Sequence, residues 1–249
     1  SGHLLEDQIG FHVRAGDPPD GSHGPHVLVA DVEYPQLDDD DRHHLERVLR
    51  LRPGDPLTVG DGAGRWRPCR LGAEPDPVGE VCMVARPAHS IGVAFALVKG
   101  GRPELVVQKL TELGIDTITP FVAERSVVRW DVDKAVRNHG RLGRVAREAV
   151  MQCRRPWAPV VEPLAGFAEL VERPGAALAD AGGDAPNASV RTLLVGPEGG
   201  WTDGERAMAA YRVALGPTIL RAETAAITGG ALLAALRSGL VGPVDPAWR

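Results

Sequence analysis

The sequence predicts an α/β protein of two domains, a small β-rich domain followed by a larger domain built on a mostly parallel sheet. Between residues 26 and 86, short β-branched runs are separated by Gly, Pro and Asp turns, which is typical of a compact sheet. Beyond residue 91, apolar strand-like runs alternate with amphipathic helices, and such alternation indicates a parallel sheet covered by helices. A chain of 249 residues is long enough for both domains.

The first domain contains four predicted strands and one predicted helix. The strands are the runs HVLVADVE, PLTVGD, RWRPCRL and GEVCMVARP. The segment DDDDRHHLERVLRLRPGD at 38–55 predicts a helix, because it has acids at its start, apolar residues at helical spacing and a Pro-Gly stop. The GDGAG motif at 60–64 precedes a strand-like run rather than a helix, so we interpret it as a hairpin turn and not a nucleotide-binding loop.

The second domain follows a short linker at 86–91. Its predicted strands are IGVAFALV, DTITPFV, AALAD and RTLLV, and its predicted helices are RPELVVQKLTELG, DKAVRNHGRLGRVAREAVMQC, TDGERAMAAY and TAAITGGALLAALRSG. We therefore predict domains at 1–88 and 89–249, with residues 1–25 irregular.

The composition is that of a soluble globular protein, with 43% apolar and 24% charged residues. The longest apolar run, Ile91–Val98, is too short to span a bilayer. The amino-terminal residues show neither the basic nor the apolar region of a secretory signal, so we expect a cytoplasmic protein.

We expect no metal site and no disulfide. Cys69, Cys82 and Cys153 form no CxxC pair and leave an odd count, which favours reduced thiols. His43 and His44 are adjacent near a predicted helix start, where neighbouring side chains point about 100° apart and make a poor chelating pair.

The net charge of −5 conceals an asymmetry along the chain. Residues 1–90 carry −7 and residues 91–249 carry +2, and the segment 125–155 alone holds nine basic and three acidic side chains. A local basic patch is sufficient to attract nucleic acid, because the attraction acts over roughly one Debye length, about 8–10 Å. Charge alone leaves two interpretations open, a contact with RNA or DNA and a solvated arginine-rich helix.

The strongest local motif is VGPEGGWTDGER at 195–206, where a predicted buried strand ends in a glycine loop and a helix follows. Gly199 and Gly200 permit positive φ and the close approach of a ligand or another chain segment. Acids in the first turn of the following helix already offset the positive end of its dipole, which argues against an anionic phosphate there. The loop also lacks the lysine that a triphosphate-binding loop requires. We therefore expect this loop to hold an uncharged or zwitterionic ligand through backbone groups.

A second motif, LGPTILRAETAAITGGALLAAL at 215–236, passes through a tight loop and enters a helix of small residues near Glu223. The run of Ala and Gly over 225–235 permits close packing by a ligand, by a second subunit or by the rest of the chain. The sequence leaves these alternatives open.

The third motif is a set of cations. Arg137, Arg141 and Arg144 fall on one face of the long predicted helix, which a solvated face explains well. That helix ends in MQCRRP at 151–156, where two further arginines before a proline turn are more typical of a site edge. Arg125 precedes the helix.

Taken in chain order, four segments resemble the RsmE family, the bacterial 16S ribosomal RNA uridine-N3 methyltransferases of the SPOUT superfamily. The segments are LVKGGRPELVVQKLTELGIDTITPFVAERSVVRW, REAVMQCRRPWAPVVEPL, LLVGPEGGWTDGER and LGPTILRAETAAITGGALLA. The earlier segment HHLERVLRLRPGD resembles the family's amino-terminal PUA-like β-barrel. The resemblance covers about residues 40–240.

The resemblance implies a fold and a cofactor that periodicity does not predict. SPOUT domains are α/β folds with a C-terminal trefoil knot, whose loops bind S-adenosylmethionine (SAM), and family members are homodimers with that site at the subunit interface. Carried over by motif, the cofactor-binding residues are Leu194, Val195, Gly196, Pro197, Glu198, Gly199, Gly200, Leu215, Gly216, Ile219, Leu220, Arg221, Glu223, Thr224 and Ala225. Contacts with 16S rRNA or the small ribosomal subunit are expected at Arg50, Lys99, Arg125, Gln152, Arg154 and Arg155.

Methylation at N3 of uracil requires removal of a weakly acidic proton and stabilisation of the developing anion. A positioned base contributes roughly 10²–10⁴-fold, and a cation stabilises the anion. Glu198 and Arg221 are the candidate catalytic residues, while Glu223 is a further acid near the loops, and an ion pair or a helix cap explains either glutamate equally well. Two other functions stay open: a SPOUT enzyme acting on a different RNA nucleotide, and a non-catalytic RNA-binding assembly factor.

Overall fold

The computed structural model describes residues 16–97 and 102–242. The chain forms two compact units, one of Ser1–Arg86 with Met151–Trp157 and one of Pro87–Val150 with Ala158–Arg249. The segment Met151–Trp157, which the sequence assigns to the second domain, thus groups with the first unit. Of the residues predicted to be irregular, 1–15 lie outside the described ranges.

The first unit is built on a five-stranded sheet. After a 3₁₀ turn at Gly21–His23, its elements are β1 (His26–Leu28), α1 (Asp39–His43), a π-helical turn (His44–Val48), β2 (Pro56–Gly60), β3 (Arg65–Arg70), β4 (Asp76–Pro77) and β5 (Cys82–Met83). Strand β1 pairs parallel with β2, whereas β3 pairs antiparallel with β2, β4 and β5.

The predicted helix over 38–55 is shorter in the structure. It begins at Asp38, whose side chain accepts a hydrogen bond from the Asp41 N–H (2.7 Å) and caps the helix. It ends by Leu49, because Arg50 adopts a left-handed φ of 59° that the helix cannot continue.

The core of the first unit contains Leu45, Leu57, Val59 and Cys69. Burial raises the pKa of the Cys69 thiol to about 12, so this thiol stays protonated and packs as a small apolar side chain. Cys69 and Cys82 are buried and Cys153 is half-buried, and none of the three forms a disulfide in the structure.

Trp157 attaches the segment Met151–Trp157 to the sheet of the first unit. Its Nε1 donates a hydrogen bond to the Val84 carbonyl (3.0 Å), and the Arg86 guanidinium lies 4.9 Å from the ring centroid. At Gly64 a Cβ would come within 2.5 Å of the indole, so only glycine permits this contact. The grouping of a distant segment with this unit therefore rests on one tryptophan and its close partners.

The second unit contains a seven-stranded sheet, with helices between its strands. Its elements are β6 (Gly92–Ala96), α2 (Arg102–Glu112), β7 (Thr117–Val122), α3 (Val132–Cys153), β8 (Val160–Val161), β9 (Ala165–Gly166), α4 (Phe167–Val171), β10 (Ala176–Asp184), β11 (Thr192–Val195), α5 (Asp203–Met208), β12 (Arg212–Val213) and α6 (Ala222–Arg237). The order is β12-β10-β11-β6-β7-β8, with β9 also on β7, and all of these pairs are parallel.

The central strands are buried on both faces, which explains their continuous apolar runs. Along β11, Leu193 and Val195 contribute to one apolar cluster, while Leu194 contributes to a second cluster on the opposite face. The first cluster includes residues of α2, α3 and α6, and the second includes residues of α4. The predicted helix-covered parallel sheet is therefore confirmed.

The small residues of α6 are explained by packing within the chain. A Cβ at Gly229 would lie 2.2 Å from Leu193 Cδ2, and a Cβ at Gly230 would lie 2.5 Å from Leu110 Cδ2. Helix α6 consequently approaches both the sheet and α2 closely. At its end, the Arg237 guanidinium forms an ion pair with the buried Asp116 carboxylate.

Within the described ranges, none of the helices combines the length and apolar character that a lipid bilayer requires of a spanning segment.

Candidate active site

A pocket of about 220 Å³ opens at the carboxyl edge of β10, β11 and β12. Because parallel strands end at the same edge, ligand sites in open α/β sheets commonly lie there. Two segments form most of its wall: the glycine loop (Gly196–Gly200), which follows β11, and the second loop (Leu215–Arg221), which precedes α6. The lining residues are Ala179, Asp180, Ala181, Val195, Gly196, Pro197, Glu198, Gly200, Trp201, Arg206, Leu215, Gly216, Thr218, Ile219, Leu220, Ala222 and Ala225.

The glycine loop turns tightly between β11 and α5. The Gly200 N–H donates a hydrogen bond to the Pro197 carbonyl (2.8 Å), and Gly200 has a φ of +67°, which favours glycine. At Gly196 a Cβ would lie 2.9 Å from the Trp201 ring. Trp201 is buried and donates from Nε1 to the Ala179 carbonyl (2.8 Å), which connects the loop to β10.

Glu205, which is only 2% exposed, fixes the helix that follows the glycine loop. Its Oε2 accepts a hydrogen bond from the Thr202 N–H (2.9 Å) while the Thr202 hydroxyl oxygen accepts from the Glu205 N–H (3.1 Å), which forms a capping box. Its Oε1 accepts from the Glu124 N–H (2.9 Å), just beyond β7. One carboxylate therefore connects the start of α5 to the loop between β7 and α3.

Arg125 lies on that same β7–α3 loop and contacts the glycine loop. Its Nη1 donates a hydrogen bond to the Gly199 carbonyl (3.0 Å), and a Cβ at Gly199 would lie 3.1 Å from the Arg125 Cβ. This cation, which the sequence predicts to bind RNA, therefore holds the glycine loop at Gly199.

Two carboxylates near the pocket share one guanidinium. Arg102 Nη1 lies 3.5 Å from Glu198 Oε1, and its Nε lies 3.5 Å from Glu223 Oε1. The Glu198 side chain is half exposed and lines the pocket, whereas that of Glu223 is mostly buried. Arg102, which no sequence motif indicated, joins the start of α2 to the glycine loop and to the start of α6.

Asp180 brings a second charged group to the pocket. Its Oδ2 accepts hydrogen bonds from Arg206 Nε (3.0 Å) and Arg212 Nη1 (3.3 Å), and Arg206 Nη1 also donates to the Trp201 carbonyl (2.9 Å). Ala179 pairs with Val195 in the sheet, so Asp180 extends past the last pair between β10 and β11.

The structure brings most of the predicted cofactor-binding residues together around the pocket. Val195, Gly196, Pro197, Glu198, Gly200, Leu215, Gly216, Ile219, Leu220 and Ala225 line it. Leu194 is instead buried in the apolar core, and Gly199 packs against Arg125. Arg221, Glu223 and Thr224 lie at the start of α6 and are not among the lining residues.

The wall that β10 contributes to the pocket was not predicted from the sequence. Asp180 is the last residue of the predicted strand AALAD, and the flexible loop predicted after it is wrong at its start, because β10 continues to Asp184. The rule that neighbouring parallel strands end at one edge was the available signal. Trp201, Arg206, Thr218 and Ala222 also line the pocket and were missed.

The predicted RNA-binding residues are divided between the two units. Arg125 belongs to the second unit, while Arg50, Gln152, Arg154 and Arg155 belong to the first; Lys99 lies outside the described residues. Arg50 and Gln152 are exposed, and Arg155 is half-buried.

Arg154 has a structural role within the first unit. It is half-buried, has a left-handed φ of 57°, and its guanidinium donates a hydrogen bond to the Gly24 carbonyl. Burial, together with the positive charge of Arg154, lowers the pKa of the neighbouring His26 to about 4. Arg154 is thus already engaged inside the protein.

Among the residues of the two described ranges, no group of three or more His, Cys, Asp and Glu side chains is arranged to hold a metal ion.

Comparison with known proteins identifies the family. The sequence model of an RNA methyltransferase domain matches residues 85–234, and that of an RNA methyltransferase PUA domain matches residues 37–77. A ribosomal RNA small subunit methyltransferase E from Mycobacterium bovis is 33% identical over 243 residues, covering 85% of this chain and 87% of the relative. The chain belongs to the ribosomal RNA small subunit methyltransferase E family.

Solved structures agree with this assignment. The family member from Neisseria gonorrhoeae, bound to S-adenosyl methionine, has a TM-score of 0.71 and 27% identity over 85% of this chain and 97% of its own. A methyltransferase from Legionella pneumophila in complex with SAM has a TM-score of 0.73 and 28% identity over 90% of this chain and 98% of its own. The predicted family, the RNA methyltransferase class, and the α/β fold with a PUA-like domain are confirmed.

We expect Glu205→Gln to destabilise the second unit. The glutamine NH₂ group would face one of the two backbone N–H donors that Glu205 accepts from, so that donor would lose its acceptor. The expected loss is about 1–3 kcal/mol in the free energy of unfolding, measured by urea denaturation. Asp203→Asn is the matched control, since it removes the same charge from the first turn of α5 at a fully exposed side chain. Equal losses for the two variants would contradict the role given to Glu205.

Proposed function

We propose that this protein is a SAM-dependent methyltransferase that methylates N3 of a specific uridine in 16S rRNA, in the decoding region of the small ribosomal subunit, during ribosome biogenesis. The observation that carries the proposal is the pocket between the glycine loop and the second loop, in a chain whose family includes a solved member bound to SAM. The uridine and its N3 atom come from the resemblance to that family.

The residues of the pocket fit SAM. Val195, Leu215 and Leu220 supply apolar contacts suited to an adenine ring, and the glycines allow its approach to the backbone. Glu198 places a carboxylate at the same pocket, where it is complementary to the positive charge of a sulfonium. When bound, SAM supplies an electrophilic methyl group, and the pocket fixes its orientation toward the uracil.

We assign the proton transfer to Glu198 and the stabilisation of the uracil anion to Arg221. Glu198 is the half-exposed carboxylate that lines the pocket, so it is accessible to an incoming N3–H. Arg221 is exposed at the N-cap of α6, beside Leu220 and Ala222 of the pocket wall, where its guanidinium can face the uracil oxygens. Arg102 holds Glu198 in place from α2.

We assign RNA contact to exposed cations of the second unit. The PUA-like domain at 1–88, which precedes the methyltransferase domain at 89–249, is a further RNA-binding module in this proposal. On α3, Arg137 and Arg144 are exposed, whereas Arg141 pairs with Glu104 (2.6 Å). Arg125 adds a cation beside the glycine loop. Arg50, Lys99, Gln152 and Arg155 remain proposed RNA contacts by family resemblance, while the internal hydrogen bond of Arg154 favours a structural role.

The proposal extends to the knot, the assembly and the compartment. By family resemblance, the chain from β11 to α6 forms a trefoil knot, and two copies form a homodimer. The fully exposed Ile219, on the second loop at the pocket, is an apolar residue that a second subunit would cover. A small-subunit substrate implies a cytoplasmic enzyme.

We expect the protein to transfer a labelled methyl group from SAM to small ribosomal subunits and to produce N3-methyluridine, detected by mass spectrometry of the 16S rRNA. Gly200→Val is expected to abolish both this transfer and calorimetric SAM binding, because a β-branched residue at φ +67° distorts the pocket wall. Gly204→Ala is the control, since its Cβ would have only ordinary contacts.

Different outcomes separate the alternative functions. Methylation of another nucleotide would assign the enzyme a different RNA target. Absence of SAM binding to the wild-type protein would favour the RNA-binding assembly factor and would overturn the proposed function.

We expect Arg137→Gln combined with Arg144→Gln to weaken RNA binding and to reduce its salt dependence. Losing two phosphate contacts lowers the slope of log affinity against log salt by roughly 1.4–1.8. Affinity for SAM should stay unchanged, since neither side chain lines the pocket. Arg191→Gln, which precedes β11 at the opposite edge of the sheet from the pocket, is the control, and an unchanged slope in the double variant would contradict the proposed surface.

A further inference from the structure

The pocket contains an anchored carboxylate that the proposed chemistry does not use. The Asp180 side chain is 13% exposed, and it lies in the wall that β10 contributes. Both of its hydrogen bonds from arginines, Arg206 Nε at 3.0 Å and Arg212 Nη1 at 3.3 Å, reach the same oxygen, Oδ2. Among the described residues, no hydrogen bond to Oδ1 is found.

The two arginines fix the orientation of this carboxylate. Arg206 is itself held, because its Nη1 donates to the carbonyl of the buried Trp201 (2.9 Å). Asp180 therefore presents Oδ1 in a single orientation, since rotation of the carboxylate would break two charge-assisted hydrogen bonds. A fixed acceptor in the wall of a ligand pocket selects a hydrogen-bond donor on the ligand.

The charge of this cluster decides which donor it selects. Two arginines already offset the charge of Asp180, and Asp203 beside Arg206 (3.4 Å) leaves this cluster with no net charge. A cluster without net charge gives an ammonium group no electrostatic advantage, so a neutral donor suits Oδ1. The ribose of SAM carries two neutral hydroxyl donors side by side, and each hydroxyl can donate one hydrogen bond to a carboxylate oxygen.

We propose that Asp180 is a specificity-determining residue of the cofactor pocket and that its Oδ1 accepts a hydrogen bond from a ribose hydroxyl of SAM, with Arg206 and Arg212 as positioning residues. The inference rests on the proposed function, because it takes SAM as the ligand of this pocket. It adds a side-chain contact from β10 to the two loops that the sequence motifs indicate.

The test compares ligands that differ only at the ribose. Calorimetry gives the dissociation constants of the wild-type protein for 5′-methylthioadenosine and for its 2′-deoxy and 3′-deoxy forms. We expect one deoxy form to bind about 10- to 100-fold more weakly, the usual effect of removing a hydrogen bond to a charged group. In Asp180→Ala, the parent ligand should lose the same factor, and the difference between parent and deoxy forms should disappear.

Asp203→Ala is the matched control, because Asp203 also lies near Arg206 (3.4 Å) but its side chain is fully exposed outside the pocket lining. It should keep the wild-type discrimination between the ribose forms. Asp180→Asn is a second variant for the case that Asp180→Ala fails to fold, because it preserves the shape of the side chain and one acceptor oxygen. It should discriminate between the parent ligand and the deoxy form several-fold less than the wild type does.

Three other results would contradict the inference, and each would reject a different part of it. Equal wild-type affinities for all three ligands would overturn the ribose contact while leaving SAM binding intact. A loss in Asp180→Ala that appears with S-adenosylhomocysteine but not with 5′-methylthioadenosine would move the contact to the amino-acid part. If the wild-type protein binds neither SAM nor S-adenosylhomocysteine nor 5′-methylthioadenosine, the proposed function is rejected together with the inference.

Discussion

The buried carboxylate of Glu205 is the interaction on which the geometry of the site depends. It accepts backbone hydrogen bonds from Thr202, at the start of α5, and from Glu124, beyond β7. Each hydrogen bond to a charged acceptor of this kind stabilises a fold by about 1.5–3 kcal/mol. Without it, the glycine loop would keep only its contacts with Trp201, Arg125 and Arg102. A loosely held loop binds a ligand less well than a pre-organised one.

The sheet determines where these loops meet. Because β10, β11 and β12 are parallel, the segments that leave their carboxyl ends lie side by side although they are far apart in sequence. The strands are buried on both faces, so the edge is the part of the sheet where polar side chains such as Asp180 can reach a ligand. The glycine loop, the second loop and Asp180 therefore form one pocket as a consequence of strand direction.

The sequence predicted the local features of this site and missed those that depend on register. The glycine loop was predictable, because Gly196 faces Trp201 and Gly200 has positive φ, and both requirements appear as glycines in the motif. The small residues of α6 were ambiguous, and the structure resolves them as packing against Leu193 and Leu110. Asp180 was missed, since its place in the pocket depends on the pairing of β10 with its neighbours.

Arg154 illustrates the same limit for charged residues. A cation before a proline turn is typical of a site edge, yet its guanidinium donates to the carbonyl of Gly24, 130 residues away in sequence. Similarly, no sequence pattern indicates a role for Trp157, yet in the structure it attaches Met151–Trp157 to the first unit. Contacts between distant segments carry no local signal, so only the folded chain reveals them.

A crystal structure of the protein grown with SAM would show whether the glycine loop and the second loop together bind SAM. We expect SAM between Val195–Gly200 and Leu215–Ala225, with the knot and the dimer visible in the same structure. SAM bound elsewhere on the chain, or a pocket without SAM at saturating concentration, would show that these loops do not form the cofactor site.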